Sequence, residues 1–241
     1  MSPVPIATNL IDALSHGEIE IKGQFMLGSN YTFLVLVHFE GQETQAVYKP
    51  QQGEQPLWDF PPASLAGREV AAYLVSEALG FHFVPLTILR DGPLGPGSLQ
   101  QYIDYNPNYH YFSFKQSDRA RLRPVALFDL LINNADRKGS HILVEKRTHK
   151  LYLIDHGLCF HTEDKLRTVL WDFVGEPFPA ELFSVLETFR HHFSRDLSAL
   201  LSPYLLPEEI AALDSRARNL LSDCRFPNPP EDRRSYPYPP L

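Results

Sequence analysis

Two aspartates occupy matching positions in two neighbouring segments of the chain. Asp136 lies in NNADRKGSHILVE, between a predicted helix and a predicted strand, and Asp155 lies in KLYLIDHGLCF, directly after the next strand. The 19 positions between them fit the two ends of one β-hairpin, so both carboxylates can face the same cleft. Phosphoryl transfer is the chemistry that requires such a pair, with one acid toward the acceptor hydroxyl and one toward a metal ion.

A lysine and a glutamate in the first half of the chain extend this pattern. Lys49 closes a predicted strand in AVYK, where protein kinases carry the lysine that holds the α- and β-phosphates of ATP. Glu69 lies early in a predicted helix, 20 residues further on, where it is available to pair with Lys49. Each residue alone has a plainer explanation, such as a solvated strand-end lysine or an acid favoured by the helix dipole. The four residues together, in this order, predict a nucleotide cleft.

The elements that must position these residues divide the chain into two lobes. Residues 1–105 are predicted as antiparallel sheet with a helix from about Leu65 to Leu79, capped by Ser64, and end in a strand-like connector. Residues 106–225 are predicted to be mainly helical, with helices at 117–135, 179–205 and 206–224. Residues 226–241 contain too much proline for a helix or interior strand and are predicted as an extended or disordered tail. The predicted fold class is therefore α+β, with ligands at the junction of the lobes.

The two acidic segments carry a resemblance to a known family. NNADRKGSHIL and LIDHGLCF resemble the catalytic and metal-binding loops of the phosphatidylinositol 3-/4-kinase-like superfamily. Over roughly residues 20–220 the chain is similar to a small bacterial branch whose members have no assigned reaction. HipA-like kinases belong to the same wider superfamily, so the resemblance does not imply a lipid substrate. It implies a bilobal protein-kinase-like fold with a β-rich N-lobe and a helical C-lobe, which binds ATP and a divalent metal, Mg²⁺ or Mn²⁺.

The resemblance also implies a role for each candidate residue. Asp136 corresponds to the catalytic-loop aspartate, Asp155 to the metal ligand, and Lys49 to the phosphate-binding lysine that pairs with Glu69. The remaining implied nucleotide contacts are made by Gly28, Ser29 and Asn30 over the phosphates and by the backbone of Gln101, Tyr102 and Ile103 at adenine.

Two positions depart from the family pattern. His141 stands where the kinase loop carries its metal-binding asparagine, and an imidazole suits softer divalent metals better than Mg²⁺. We predict His141 as a metal ligand beside Asp155. A preference for Mn²⁺, a single metal held mainly by Asp155, and nucleotide binding with little turnover stay open. Lys138 replaces the histidine of D-R-H and is predicted to neutralise the γ-phosphate. No A-P-E segment follows DHG, which disfavours an ordinary protein-kinase peptide platform.

Composition and charge limit the partners. The 241 residues, 44 % of them hydrophobic, suffice for one core or two small lobes. A net charge of −7, spread along the chain, argues against nucleic acid as a partner. The longest apolar run, residues 31–39, is about half of a membrane span, and the first residues lack a secretory pattern. With two cysteines in the chain, we predict a cytoplasmic protein without integral membrane association, of open oligomeric state.

The sequence therefore predicts an ATP-dependent phosphotransferase acting on a protein or small-molecule hydroxyl. Lipid is a weaker candidate because the chain has no long basic amphipathic helix. The alternatives are a pseudokinase that only binds ATP, transfer of AMP, and metal-dependent hydrolysis without ATP. Packing roles are predicted for His156 as a polar-tipped core residue, Trp58 and Trp171 as anchors, and Cys159 as a buried small residue.

Overall fold

Strands dominate the first hundred residues. The computed structural model describes residues 6–25 and 30–241. Its larger sheet consists of β1 (Glu18–Gln24), β2 (Phe33–Phe39), β3 (Gln42–Pro50), β4 (Thr87–Gly92) and β5 (Gly95–Gln101). The sheet is antiparallel, in the order β1-β2-β3-β5-β4. In parts of β2 and β3 buried side chains alternate with more accessible ones, as in strands with one covered face.

Two helices accompany this sheet and belong to different cores. Helix α1 (Ile6–His16) covers one face, where Leu14 packs with Val35 and Tyr48. Helix α2 (Leu65–Ala78) instead joins the core of the helical half through Ala71, Ala72 and Val75. The sheet is thereby linked to the rest of the molecule by the helix that carries Glu69.

The predicted helix at 65–79 is confirmed, but its predicted cap is wrong. The Ser64 hydroxyl donates to the Pro61 carbonyl and accepts no backbone N–H of the first turn. The Glu54 carboxylate accepts from the backbone N–H groups of Leu65 and Ala66 in its place. A carboxylate satisfies these free donors and also favours the positive end of the helix dipole.

The second half of the chain is mainly helical, with interruptions that the periodicity did not predict. The predicted helix at 117–135 is two helices, because Pro124 lacks an N–H and can stand only in a first turn. The predicted helix at 179–205 is interrupted by a π-helical segment, Phe193–Leu197. The helices are α3 (Gln116–Arg119), α4 (Arg123–Ile132), α5 (Ala180–His192), α6 (Ser198–Leu201) and α7 (Pro207–Asp223). None of the helices in residues 6–25 and 30–241 is long and apolar enough to span a membrane.

A short hairpin holds the two acidic segments, as predicted. Strand β6 (Ile142–Val144) pairs with β7 (Leu151–Leu153), so the loop before β6 and the loop after β7 emerge at the same end. We call residues 133–141 the Asp136 loop and residues 154–158 the Asp155 loop. Residues 226–241 contain neither helix nor strand and lie against the helical half, beginning with Phe226, which is buried against Phe173 and Phe178.

Candidate active site

Lys49, Glu69 and Asp155 meet at one point between the sheet and the hairpin. The Lys49 Nζ lies 2.5 Å from Glu69 Oε1 and 2.9 Å from Asp155 Oδ1. Burial lowers the pKa of Lys49, but the charges of Asp155 and Glu69 outweigh that effect and raise it above its ordinary value. The lysine is therefore a permanent cation held by acids from two different parts of the fold.

The alternation of side chains along β3 and the contacts that fix α2 explain why Lys49, Glu69 and Asp155 lie together. Tyr48 points into the sheet core, so its neighbour Lys49 points to the opposite face, toward α2. Helix α2 is fixed by the buried Arg68, whose guanidinium lies 2.5 Å from Glu209 Oε1 and donates to the Cys159 carbonyl. Glu69 is held by Lys49 on one oxygen, while its other oxygen accepts the backbone N–H of His156 at 3.0 Å.

Asp136 lies at the start of a tight turn behind α4. Asn133 ends that helix in the left-handed region with φ 54°, and the Asn134 side chain accepts the Asp136 N–H at 2.9 Å. Lys138 Nζ lies 3.3 Å from Asp136 Oδ2. Burial raises the pKa of Asp136 to about 6, with a further rise from the charge of Asp155 and a partial offset from Lys138. A carboxylate with this pKa is ionised at neutral pH and close to the value that suits a general base.

Asp155 differs from Asp136 in charge environment and in backbone. Its φ of 66° is a left-handed conformation that aspartate tolerates better than most residues, and it aims the side chain back toward Lys49. The nearby ammonium of Lys49 holds the pKa of Asp155 well below its usual range, against the opposing effect of burial. Of the two acids, Asp155 is therefore the permanent anion.

His141 faces Asp155 in an arrangement that calls for a cation. Its Nδ1 lies 3.1 Å from the Asp136 carbonyl oxygen, which can only accept, so Nδ1 carries the proton. Burial lowers the pKa of His141 to about 4, so the ring is neutral and Nε2 presents a lone pair. Nε2 lies 3.2 Å from Asp155 Oδ2, which is also an acceptor. Two acceptors directed at each other are stabilised by a positive ion between them.

The residues present fit a divalent metal that also takes ligands from a nucleotide. Among the described residues no group of three His, Cys, Asp or Glu side chains is arranged to hold a metal alone. Asp155 and His141 offer one carboxylate and one imidazole, and phosphate-bound metals often use only one or two protein ligands. The backbone carbonyl on the far nitrogen of His141 is the usual outer partner of a metal-binding histidine.

A buried arginine that the motif analysis did not single out connects the two acidic loops. Arg137 is completely buried and pairs through Nε with both oxygens of Asp129, at 3.0 and 3.1 Å. Its other nitrogens donate to the Ile154 carbonyl at 3.0 Å and to His156 Nε2 at 2.8 Å. One signal could have revealed it: Asp129 is an isolated acid in the apolar ALFDLLI of α4, and a buried acid requires a partner.

Two of the four predicted packing residues, His156 and Cys159, are fully buried as predicted. Trp171 is half-buried, and its Nε1 donates to the Ser235 carbonyl at 3.2 Å. The prediction for Trp58 is wrong, because this side chain is 91 % exposed, with the Lys165 ammonium 4.9 Å from its ring. The proline-rich loop that carries Trp58 directs it to solvent.

Four of the predicted contacts with phosphate and adenine, at Asn30, Gln101, Tyr102 and Ile103, fall within the described residues. Gly28 and Ser29 fall outside the described residues. The Asn30 side chain accepts the backbone N–H of Gln55 at 2.7 Å. The N–H groups of Gln101 and Tyr102 donate to the carbonyls of Leu86 and Gln45, and Ile103 is buried.

This geometry and the overall fold define a class of protein. The structure resembles the Helicobacter pylori proinflammatory kinase CtkA with a TM-score of 0.52 at 11 % identity, covering 85 % of this chain and 91 % of that one. It resembles hydra Fam20, solved with sugar, with a TM-score of 0.52 at 13 % identity, covering 93 % and 90 %. The chain therefore has a protein-kinase-like fold with mixed α and β structure.

Sequence comparison places the chain more narrowly. It is 38 % identical to Protein Rv2133c of Mycobacterium tuberculosis over an alignment of 261 residues, which covers 94 % of this chain and 93 % of that one. The chain belongs to the same family as Rv2133c. It is also 29 % identical over 180 residues to Phosphatidylinositol 4-kinase gamma 4 of Oryza sativa subsp. japonica, which covers 58 % of this chain and 32 % of the rice protein. No family model matches the chain.

Proposed function

We propose that this protein is an ATP-dependent phosphotransferase that delivers the γ-phosphate to a hydroxyl group. The single observation that carries the proposal is the meeting of Lys49, Glu69 and Asp155, with Asp136 at the other end of the same hairpin. A cation that is held by acids from both halves of the fold suits the charge of a triphosphate. The kinase-like fold supports the same class of reaction.

In the proposed reaction Asp136 orients the acceptor hydroxyl and takes its proton. The hydroxyl oxygen bonds to the γ-phosphorus, the bond from that phosphorus to the β,γ-bridging oxygen breaks, and ADP leaves. Lys49 holds the α- and β-phosphates, and Lys138 neutralises charge on the γ-phosphoryl group. Asp155 and His141 would hold a divalent metal, which when bound supplies charge neutralisation at the phosphates. The implied contacts of Gly28, Ser29 and Asn30 with phosphate, and of Gln101, Tyr102 and Ile103 with adenine, belong to the same proposal.

Thermal unfolding with and without ATP tests the cleft. A ligand at 100 times its Kd stabilises the folded state by about 2.7 kcal/mol, so ATP with Mg²⁺ or Mn²⁺ should raise the Tm of the wild type measurably. Asp155→Ala and Lys49→Met should each abolish that rise. Asp214→Ala and Arg218→Met alter an ion pair on the surface of α7 and serve as matched controls that keep the rise in Tm. A wild-type Tm that does not respond to ATP with either metal would refute the proposal.

A pseudokinase is the second candidate, and His141 favours it. This residue replaces an asparagine that active kinases use for metal binding, and an imidazole suits Mg²⁺ less well than an amide oxygen. ATP that carries a radiolabel on the γ-phosphate separates the two functions, since only an enzyme moves the label to an acceptor or to water. A parallel assay with α-labelled ATP detects transfer of AMP.

We further propose that the family of this chain lies within the phosphatidylinositol 3-/4-kinase-like superfamily. The partial match to the rice phosphatidylinositol 4-kinase supports this placement. The identity of the acceptor is a separate question. The surface beside the Asp136 loop indicates what kind of acceptor can bind.

A further inference from the structure

Residues 164–171, which follow the Asp155 loop, present an extended edge that already holds a peptide. We call these residues the docking edge, and the peptide is the protein's own segment 233–240. The Ser235 carbonyl accepts two hydrogen bonds from the edge, from the Thr168 N–H at 3.1 Å and from Trp171 Nε1 at 3.2 Å. Two residues earlier, the Arg233 guanidinium donates to the Leu166 carbonyl at 3.0 Å and forms an ion pair with Asp164.

The docked segment runs onto the Asp136 loop itself. The Pro240 carbonyl accepts the N–H of Gly139 at 2.8 Å, three residues after Asp136. The docking edge also pairs with this loop, because the Arg137 N–H donates to the Arg167 carbonyl and the Val169 N–H donates to the Arg137 carbonyl. A peptide along the edge therefore passes beside the proposed catalytic acid.

The segment borders a cavity that is open to solvent. This cavity of about 520 Å³ is lined by Tyr111, Phe112, Val169, Trp171, Asp172, Tyr236, Pro237 and Pro240. Tyr238 is 76 % exposed, and the ion pair between Arg233 and the exposed Asp164 is of a kind that contributes little to stability. The segment is thus held by a few polar contacts beside an open cavity, as expected for an occupant that can exchange.

The cavity walls indicate what kind of peptide fits. Three of the walls are the aromatic side chains of Tyr111, Phe112 and Trp171, and Pro237 of the segment lines the same cavity. Aromatic grooves of this kind bind proline-rich extended peptides, whose conformation is already restricted before binding. At the other end of the edge, Asp164 selects a basic residue.

We propose that the docking edge and its cavity bind an extended polypeptide acceptor, with a basic residue followed by a hydroxyl residue and a proline. Segment 233–240 (RRSYPYPP) is its resident occupant. Binding stands independently of the proposed function, whereas modification of the peptide rests on it. In that step a peptide hydroxyl oxygen bonds to the γ-phosphorus, the bond to the bridging oxygen breaks, ADP leaves and Asp136 takes the proton.

A labelled peptide of residues 231–241 tests the docking edge on the full-length chain. In the release variant, Arg233→Glu with Pro237→Asp, the tethered segment loses its ion pair and its apolar contact. A tethered segment competes at an effective concentration of the order of millimolar, so its release should tighten peptide binding on the order of tenfold in fluorescence anisotropy. The charge-matched control, Arg234→Glu with Pro239→Asp, changes two exposed residues of the same segment and should bind like the wild type.

Two further variants make the result decisive. Trp171→Ala in the release variant should remove the gain, since it deletes one donor and one aromatic wall. Peptide binding that is no tighter in the release variant than in the wild type, or that survives Trp171→Ala, overturns the proposal. If the release variant does not fold, Pro237→Ala alone decides by the same measurement, with tighter binding in support and unchanged binding against.

The assay also separates this proposal from the proposed function. Tighter peptide binding without transfer of the γ-label to peptide, water or any small hydroxyl compound would refute the phosphotransferase and keep the docking edge. Transfer of label to a small compound such as glycerol, with no peptide binding to the release variant, would refute the docking edge and keep the phosphotransferase.

Discussion

Asp129 and Asp136 lie seven residues apart at the same helix–loop junction, yet their surroundings are opposite. Asp129 is completely buried and accepts hydrogen bonds from Arg137, Asn134 and Thr168. The side chain of Asp136 is 26 % exposed, and among the described residues its carboxylate forms an ion pair with Lys138 alone. One acid is fully satisfied by the fold, whereas the other keeps capacity for a further partner.

This difference indicates that Asp129 positions the loop, whereas Asp136 is available for the proposed reaction. Through Arg137, Asp129 fixes the backbone on both sides of Asp136 and the start of the Asp155 loop. Through Thr168 it also fixes the docking edge. A rigid buried network around a partly free acid is the arrangement that preorganised catalytic sites require. The comparison predicts that removing Asp129 lowers stability, whereas removing Asp136 lowers turnover.

The largest expected effect is on stability and comes from Asp129→Ala. Removing one partner of a buried ion pair leaves Arg137 charged and unpaired, which costs about 3–5 kcal/mol. The free energy of unfolding from urea titration measures this loss. Asp136→Ala is the matched control and should change stability by less than about 1 kcal/mol. Equal losses in the two variants would contradict the division between a positioning acid and a chemical one.

The next effect is on turnover and comes from Asp136→Asn. Loss of a general base lowers the rate by about 10²–10⁴-fold, because the acceptor hydroxyl keeps its proton. The Tm shift with ATP should stay as in the wild type, since Asp136 does not contact the Lys49 cluster directly. Single-turnover transfer of γ-label gives the rate. A variant that retains the wild-type rate would show that another group takes the proton.

Sequence reasoning selected Asp136 as a candidate and overlooked Asp129 and Arg137. Asp136, Asp155, Lys49 and Glu69 could be selected from the sequence because their positions relative to strands and helices follow a pattern that the chemistry dictates. Arg137 lies between two predicted site residues, but nothing in its spacing indicates that it is buried. Its role depends on Asp129 and His156, which only the tertiary fold brings to it.

The fold could be predicted from the sequence to a similar extent. The strand and helix types followed from periodicity, and the hairpin followed from the two short apolar runs. The break at Pro124 was visible in the sequence but was overridden by the apolar stripe on either side of it. The cap of α2 could not be predicted, because Glu54 reaches it from a loop eleven residues away from Leu65.

A smaller effect concerns metal preference and tests the region where the two halves of the site meet. His141→Asn replaces an imidazole nitrogen by an amide oxygen, a donor that Mg²⁺ prefers. We expect the ATP-dependent rise in Tm with Mg²⁺ to become larger relative to the rise with Mn²⁺. His149→Asn, on the surface at the far turn of the hairpin, is the control and should leave the ratio unchanged. An unchanged ratio in His141→Asn as well would show that His141 does not bind the metal.

The smallest effect is a displacement of the pH profile, and it isolates the charge environment of Asp136. In the proposed reaction transfer requires ionised Asp136, whose pKa is about 6, so kcat/KM should rise with pH up to that value and be level above it. Asp155 is ionised throughout this range, and His141, with a pKa of about 4, is neutral, so neither produces this limb. Lys138 lowers the pKa of Asp136, so Lys138→Met should move the limb to higher pH, while Lys138→Arg should leave it in place. The plateau rate also falls in Lys138→Met if the lysine contacts phosphate, but the limb position is independent of the plateau. A limb that stays at the same pH in Lys138→Met would assign the titration to a group other than Asp136.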